Sequence, residues 1–199
     1  MDTRLRILKE AGMMFSKYGI RSITMDHIAN ELGISKRTLY ETFTDKDDLV
    51  SQAIEEGANV HKKICYKIIS ESDNVIEAIF KIGKLNNDMF GKISPMFFED
   101  LKKFHSEVFD RIHQKGQIRD YKLTESLFAK GVEEGVISNN LNIEVVNIFV
   151  HKIIDIVHTE EMKQFRNEEI LQSAFLPYLI GISTEKGREL IEKYLINYK

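Results

Sequence analysis

Residues 24–43, TMDHIANELGISKRTLYETF, carry the start and stop signals of two short helices that meet at a glycine. Thr24 and Ser35 are residue types that cap helices, because the side-chain oxygen accepts a hydrogen bond from a backbone N–H of the first turn. Gly33 stands where a left-handed residue ends a helix at little cost. The segment therefore predicts a helix–turn–helix whose second helix begins directly after Ser35.

The second helix has a polar side that its own core does not need. Leu39 and Phe43 are four residues apart and should both point inward, which leaves hydroxyls, cations and a phenol outside. Such groups suit base edges and phosphate oxygens in a major groove, with Arg37 expected to read a base and Lys46 to contact a phosphate. The residues expected to bind DNA are Thr24, Ser35, Lys36, Arg37, Thr38, Tyr40, Thr42 and Lys46. The alternative is an ordinary helical hairpin with a solvated face.

Residues 7–50, ILKEAGMMFSKYGIRSITMDHIANELGISKRTLYETFTDKDDLV, resemble the DNA-binding domain of the TetR (tetracycline-repressor-like) transcriptional regulators. Two positions, Gly12 and Arg37, depart from the usual pattern. The resemblance implies a homodimeric repressor that a small ligand releases from its operator. The residues that carry it are Phe15, Gly19, Thr24, Ile28, Ala29, Gly33, Ile34, Ser35, Thr38, Leu39, Tyr40, Phe43, Lys46 and Leu49.

Composition and periodicity predict an all-α fold. The chain has 199 residues, of which 43% are hydrophobic and 30% charged, and only two are prolines. No segment keeps strand alternation, and ten helices are expected. Residues 1–46 would form a three-helix DNA-binding head, and residues 47–199 a larger body that binds an effector and dimerises. A helix from Lys46 to about residue 70 is expected to connect the two without a flexible linker.

Charge is distributed unevenly between these two regions. Residues 1–46 hold 8 Lys and Arg against 6 Asp and Glu, whereas the remainder holds 20 against 25. The head is therefore weakly basic within a chain of net charge −3. This balance predicts a few specifically placed phosphate contacts and low affinity for unrelated DNA.

Several classes of function find no support in the sequence. No apolar run approaches a membrane span, and the first residues lack the pattern of a signal peptide, so we expect a cytoplasmic protein without a membrane partner. Cys65 is the one cysteine, and His151 and His158 lack the spacing of a zinc site. Neither a metal, a cofactor nor a catalytic constellation is expected, and the protein is not expected to be an enzyme.

Aromatic and methionine side chains are frequent between residues 89 and 128. They offer apolar area and adaptability, which suits a ligand pocket, although filling a core is the alternative for each of them. The resemblance favours a pocket in this region. The candidate lining residues are Met89, Phe97, Phe98, Phe104, His105, Phe109, Tyr121 and Phe128.

The last two predicted helices carry apolar stripes that suit a twofold four-helix bundle between two copies. Closing the core of a single chain is the alternative. Pro177 lies within the first stripe, opposite the carbonyl of Ser173, and should kink that helix, because proline lacks an N–H. The stripe residues expected at a dimer interface are Leu171, Phe175, Leu179, Ile182, Leu190, Ile191 and Tyr194.

Together these features predict a homodimeric repressor that binds a near-palindromic operator and is released by a small, largely apolar ligand. The helix beginning at Lys46 would transmit the signal. One alternative is a helical body that binds a small molecule or lipid, or is enzymatic, and carries a vestigial head. Another is a DNA-binding regulator that responds to no ligand.

Overall fold

The computed structural model describes residues 2–114, 120–157, 159–162 and 164–196. Within these ranges the structure is helical, with a 3-10 turn at Glu160–Met162 and a π-helical turn at Leu171–Phe175. The all-α prediction is confirmed. The α-helices of the described residues are α1 Thr3–Tyr18, α2 Met25–Leu32, α3 Lys36–Thr42, α4 Lys46–Glu71, α5 Val75–Phe90, α6 Pro95–Phe104, α7 Ser106–Gln114, α8 Tyr121–Glu133, α9 Ile143–Val157, α10 Asn167–Ile170, α11 Leu176–Ile182 and α12 Glu185–Ile196.

The helix–turn–helix is capped as its sequence predicts. Thr24 Oγ1 accepts a hydrogen bond from the backbone N–H of His27 at 3.1 Å, and Ser35 Oγ accepts from Thr38 N–H at 3.0 Å. Gly33 adopts the left-handed conformation, with φ of 64°, between α2 and α3. Local hydrogen bonding within four residues therefore determines where both helices begin.

The chain after Phe104 forms two helices. The described chain has α7 up to Gln114 and a new start at Tyr121. Asp120 marks that start, because its carboxylate accepts from the N–H of Leu123 at 3.0 Å.

A widened, π-helical turn comes directly before Pro177, and the kink expected at this proline stays a prediction. The N–H of Leu176 donates to the carbonyl of Leu171, five residues back, at the end of the π-helical turn. Since Pro177 has no N–H, the next hydrogen bond of a regular helix cannot form. The predicted helix over this stretch is thus divided into α10, the π-helical turn and α11.

The chain divides into two compact units. Unit 1 comprises Met1–Ile64 and Leu85–Ile118, and unit 2 comprises Cys65–Lys84 and Arg119–Lys199. Helices α4 and α5 contribute to both units. Helices α6 and α7 share the core of unit 1 with the N-terminal helices, and the expected domain boundary at residue 46 stays a prediction.

The core of unit 1 joins the helix–turn–helix to α6 and α7. Leu39 and Phe43, the predicted inward pair of α3, are buried in the same cluster as Phe97 and Leu101 of α6. The backbone also links these elements, since Ser94 N–H donates to the carbonyl of Ser16 at 2.8 Å. Burying an apolar side chain of this size stabilises a fold by about 1.5–3 kcal/mol. The core of the DNA-binding head therefore extends beyond its own three helices and includes side chains of α6 and α7.

The core of unit 2 includes both C-terminal apolar stripes. Leu179, Ile182 and Ile191 are buried within the single chain. These residues are core residues of their own unit, which corrects their expected place on a surface facing a partner. An apolar stripe has the same period whether it faces its own core or another copy. The remaining stripe residues are partly buried against the same core: Leu171, Phe175, Leu190 and Tyr194.

Candidate nucleic-acid interface

Helix α3 presents a polar side opposite its buried residues. Leu39 and Phe43 are almost fully buried, whereas Tyr40 is 46% exposed. The side chains of Lys36 and Arg37 are 60% and 86% exposed. The structure thus brings two cations and a phenol to one accessible surface, which we call the α3 surface (Ser35, Lys36, Arg37, Tyr40 and Glu41).

Some of the hydroxyls expected to contact DNA already form hydrogen bonds with the protein's own backbone. Ser35 Oγ accepts from Thr38 N–H and lies 2.8 Å from Thr38 Oγ1. Thr42 is half-buried and its hydroxyl donates to the carbonyl of Thr38 at 2.8 Å. A hydroxyl has one hydrogen, so Thr42 cannot donate to a phosphate without breaking that bond. Thr24 only accepts in its cap, which leaves its hydrogen available.

Both cations of the α3 surface are paired with acids of the head. Lys36 Nζ lies 2.7 Å from Asp26 Oδ1, and Arg37 Nε lies 2.8 Å from Glu41 Oε1. The hydrogen bond that the Lys36 ammonium donates to Asp26 raises the pKa of that ammonium. Exposed pairs of this kind contribute little to stability. Any DNA bound here must therefore be recognised in competition with two carboxylates.

Lys46 is half-buried at the first position of α4, a less accessible place than the sequence suggests. Burial lowers the pKa of its ammonium, while the nearby carboxylates of Asp100 and Asp47 act in the opposite direction. The ammonium of Lys46 is therefore only partly accessible to a DNA phosphate.

We predict that Lys46→Ala weakens binding to all DNA sequences alike and reduces the slope of log affinity against log salt by about 1, as loss of one phosphate contact does. Titrations of a fluorescent duplex at several salt concentrations measure both quantities. Lys102→Ala, which removes an exposed lysine of α6, is the matched control. An unchanged salt slope for Lys46→Ala contradicts the phosphate assignment.

Asp100 was not among the sequence candidates, yet it organises the turn that leads into the helix–turn–helix. It is 6% exposed, and its Oδ2 accepts from the backbone N–H of Arg21 at 2.8 Å. Gly19, with φ of 83°, lies so close that an added Cβ would be 2.9 Å from the same oxygen. The one available signal was an acid beside Leu101 on an otherwise apolar side of α6.

His105 makes a second polar link between α6 and the head. This buried side chain was expected to line a ligand pocket, but its Nδ1 lies 2.6 Å from Oδ1 of Asp47 in the first turn of α4. Asp100 and His105 therefore attach α6 at two points, one on the turn after α1 and one on α4.

The other pocket candidates are divided between the two units. Phe97 belongs to the core of unit 1 and Phe128 to the core of unit 2. Phe109 is partly buried against the first of these cores. An effector pocket at these positions stays a prediction. The exposed candidates are Met89, Phe98 and Phe104 of unit 1 and Tyr121 of unit 2.

Two open grooves are lined by other residues. One, of about 430 Å³, lies in unit 1 and the other, of about 340 Å³, in unit 2. The first is lined by Met14, Tyr18, Ser22, Ile23, His27 and Glu31. The second is apolar and is lined by Leu141, Asn142, Val145, Val146, Phe149, Tyr178 and Ile182.

Cys65 and His151 occupy interior positions. Burial raises the pKa of the Cys65 thiol to about 11, so little reactive thiolate forms near neutral pH. The ring of His151 is buried 4.0 Å from that of Tyr121, centre to centre, and His158 lies outside the described residues.

Among the described side chains, no group of three His, Cys, Asp or Glu could hold a metal ion. In the same residues, no helix has the length and apolar character to cross a membrane.

Comparison with known proteins gives a family match in the N-terminal part of the chain. Residues 7–53, which contain the whole helix–turn–helix, match the family model described as bacterial regulatory proteins of the tetR family. This N-terminal segment belongs to the TetR family. The match includes every residue of the α3 surface and the first turns of α4.

Curated relatives of this chain are helix–turn–helix transcriptional regulators of Staphylococcus aureus. One, from strain bovine RF122 / ET3-1, is 41% identical over 59 residues, so that the match spans 30% of this chain and only 32% of the relative. Another, from strain MRSA252, is 24% identical over 177 residues, or 76% of this chain and 95% of the relative. Similarity is thus strongest over a short segment and continues weakly along the body.

Solved structures share the fold of this chain. The reduced form of E. coli NemR has a TM-score of 0.72 at 15% identity, covering 92% of this chain and 98% of that one. A transcriptional regulator from Cytophaga hutchinsonii ATCC 33406 has a TM-score of 0.69 at 22% identity, covering 92% and 100%. At such identities the likeness concerns the fold alone.

Proposed function

We propose that this TetR-family chain is a cytoplasmic homodimeric repressor that binds a near-palindromic DNA operator. The observation that carries the proposal is the α3 surface, where Lys36, Arg37 and Tyr40 are accessible while Leu39 and Phe43 hold the helix in the core. A short helix of this kind fits the major groove and reads base edges with its first residues. Twofold symmetry then requires two half-sites about one helical turn or more apart.

A second copy has an apolar surface available in unit 2. Val145, Ile148 and Phe149 of α9 are 60%, 48% and 52% exposed, and their spacing puts them on one side of the helix. Ile180 of α11 is also exposed. Contiguous exposed apolar side chains mark association surfaces, and a dimer uses the same patch on both subunits. This α9 surface replaces the buried C-terminal stripes as the proposed dimer interface.

We predict that Phe149→Asp shifts the protein from dimer to monomer at micromolar concentration, because it places a charge at the centre of the α9 surface. Sedimentation velocity measures the change. Val60→Asp, which charges an exposed apolar position on α4, is the control and should leave the dimer intact. A Phe149→Asp protein that sediments as a dimer, like the wild type, contradicts the proposed interface.

Regulation by a small, largely apolar effector completes the proposal. Helices α4 and α5 contribute residues to both units, and we propose that the effector acts on operator binding through them. A typical coupling of about 1–3 kcal/mol lowers operator affinity about 5–150-fold, and the operator lowers effector affinity equally.

The experiment that tests the proposal is a gel-shift titration of the purified protein against duplex fragments from upstream of its own gene. Binding to one fragment, resistant to excess unrelated duplex, supports the repressor. Failure to prefer any fragment contradicts it. Addition of apolar compounds that raise the melting temperature then tests release, since a compound that binds without changing operator affinity indicates a ligand-independent regulator.

A further inference from the structure

Glu41 is an acid at a position of the α3 surface where negative charge is unfavourable. It lies in the last turn of α3, its side chain is 60% exposed, and its Oε1 is 2.8 Å from Nε of Arg37. The carbonyl end of a helix disfavours negative charge. Negative charge on a surface that binds DNA also repels phosphates. Two electrostatic effects therefore oppose an acid at this place.

Helix stabilisation does not account for the Arg37–Glu41 pair. In isolated helices the acid-first order four residues apart is the better one, whereas here the arginine comes first. The pair is also exposed, and exposed pairs add little to stability. Asp26, which pairs with Lys36, differs because it lies in the first turn of α2, where the helix dipole favours an acid.

The geometry of the pair suits selective reading of a base. With Nε donating to Glu41, the N–H groups on the two terminal nitrogens of Arg37 remain to be used. Guanine presents O6 and N7 side by side in the major groove, and a guanidinium can donate to both. A guanidinium already held at Nε has less freedom to lose when it binds. The adjacent carboxylate also disfavours the alternative contact of Arg37 with a phosphate.

We propose that Glu41 is a specificity-determining residue of the α3 surface. It positions Arg37 for a guanine of the operator and suppresses binding of the same arginine to the backbone of unrelated DNA. Glu41 is thus a positioning residue that acts through Arg37. The inference rests on the proposed function, because it requires α3 to contact an operator.

The test uses the full-length protein and a library of randomised double-stranded oligonucleotides. The sequence that the wild type selects is then compared, by competition, with duplexes in which single G·C pairs are replaced and with an unrelated duplex. Glu41→Ala should lower discrimination at one G·C pair by about tenfold, while binding the unrelated duplex more tightly. Glu41→Gln keeps an acceptor for Nε and should retain most of the discrimination.

Controls separate positioning from net charge. Glu31→Gln removes the same charge from an exposed position of α2 and should leave the discrimination unchanged. In an Arg37→Ala background, Glu41→Ala should have no effect on discrimination, because the residue it positions is gone. Melting temperatures of all variants report whether the fold is intact.

Two outcomes overturn the inference and are distinguishable. The inference fails if Glu41→Ala matches Glu31→Gln in every duplex, or if it loses equal discrimination with and without Arg37. In either case Glu41 does not act through Arg37, while operator binding stands. A wild type that selects no sequence from the library overturns both this inference and the proposed function.

Discussion

The Asp100→Ala variant is expected to unfold with a free energy about 2–3 kcal/mol below that of the wild type. Asp100 is 6% exposed, and its carboxylate accepts from the backbone N–H of Arg21 at 2.8 Å. Alanine leaves that donor without its charged partner and removes one of the two acids near Lys46. Urea denaturation followed by far-ultraviolet circular dichroism measures the free energy.

The control for this variant is Glu99→Ala, which removes the neighbouring exposed acid of α6 and should change the free energy of unfolding little. Asp100→Asn keeps an acceptor for Arg21 without the charge, and should fall between the two. Equal stability of Asp100→Ala and Glu99→Ala shows that the link between α6 and the turn after α1 is dispensable. Asp100→Ala should also bind operator less well at temperatures where the head begins to unfold.

The Arg37→Ala variant is expected to lose about 1–3 kcal/mol of operator binding, or about 5–150-fold in affinity, with relaxed preference at one base pair. The arginine side chain is 86% exposed and lies on the α3 surface beside the accessible Lys36. A guanidinium that donates to both guanine acceptors discriminates against every other base pair. Competition titrations against single-position operator variants measure the preference.

Lys46→Ala is the informative comparison, since it should weaken all sequences equally. If Arg37→Ala also weakens every operator variant by one common factor, its guanidinium contacts the backbone and reads no base. A melting temperature equal to that of the wild type is expected, because the Arg37–Glu41 pair is exposed and adds little to stability.

Asp100 and His105 also change how a signal could reach the DNA-binding surface. The sequence suggested α4 as the route, because that helix follows the helix–turn–helix directly. In the structure α6 contacts the head through Asp100 and Arg21, and through His105 and Asp47. Movement of α6 would therefore act both on the turn after α1 and on α4. The turn after α1 precedes the helix–turn–helix that contains α3, and α4 follows it directly.

Local features of this protein could be read from the sequence alone. Thr24, Ser35 and Gly33 mark helix ends through hydrogen bonds and backbone conformations that span four residues or fewer. The inward position of Leu39 and Phe43 follows from helical period, which also determines that Lys36, Arg37 and Tyr40 face outward. Each of these properties depends on neighbours along the chain.

Only the tertiary structure decided which surfaces meet. Phe97 and Leu101 of α6 complete the core of the head, Asp100 finds its donor 79 residues away at Arg21, and the C-terminal stripes close unit 2. Helical period shows that a stripe is apolar but does not identify what covers it, since a core and a second copy offer the same chemistry. Partner choice depends on long-range packing among all the helices, and that packing left the α9 surface exposed.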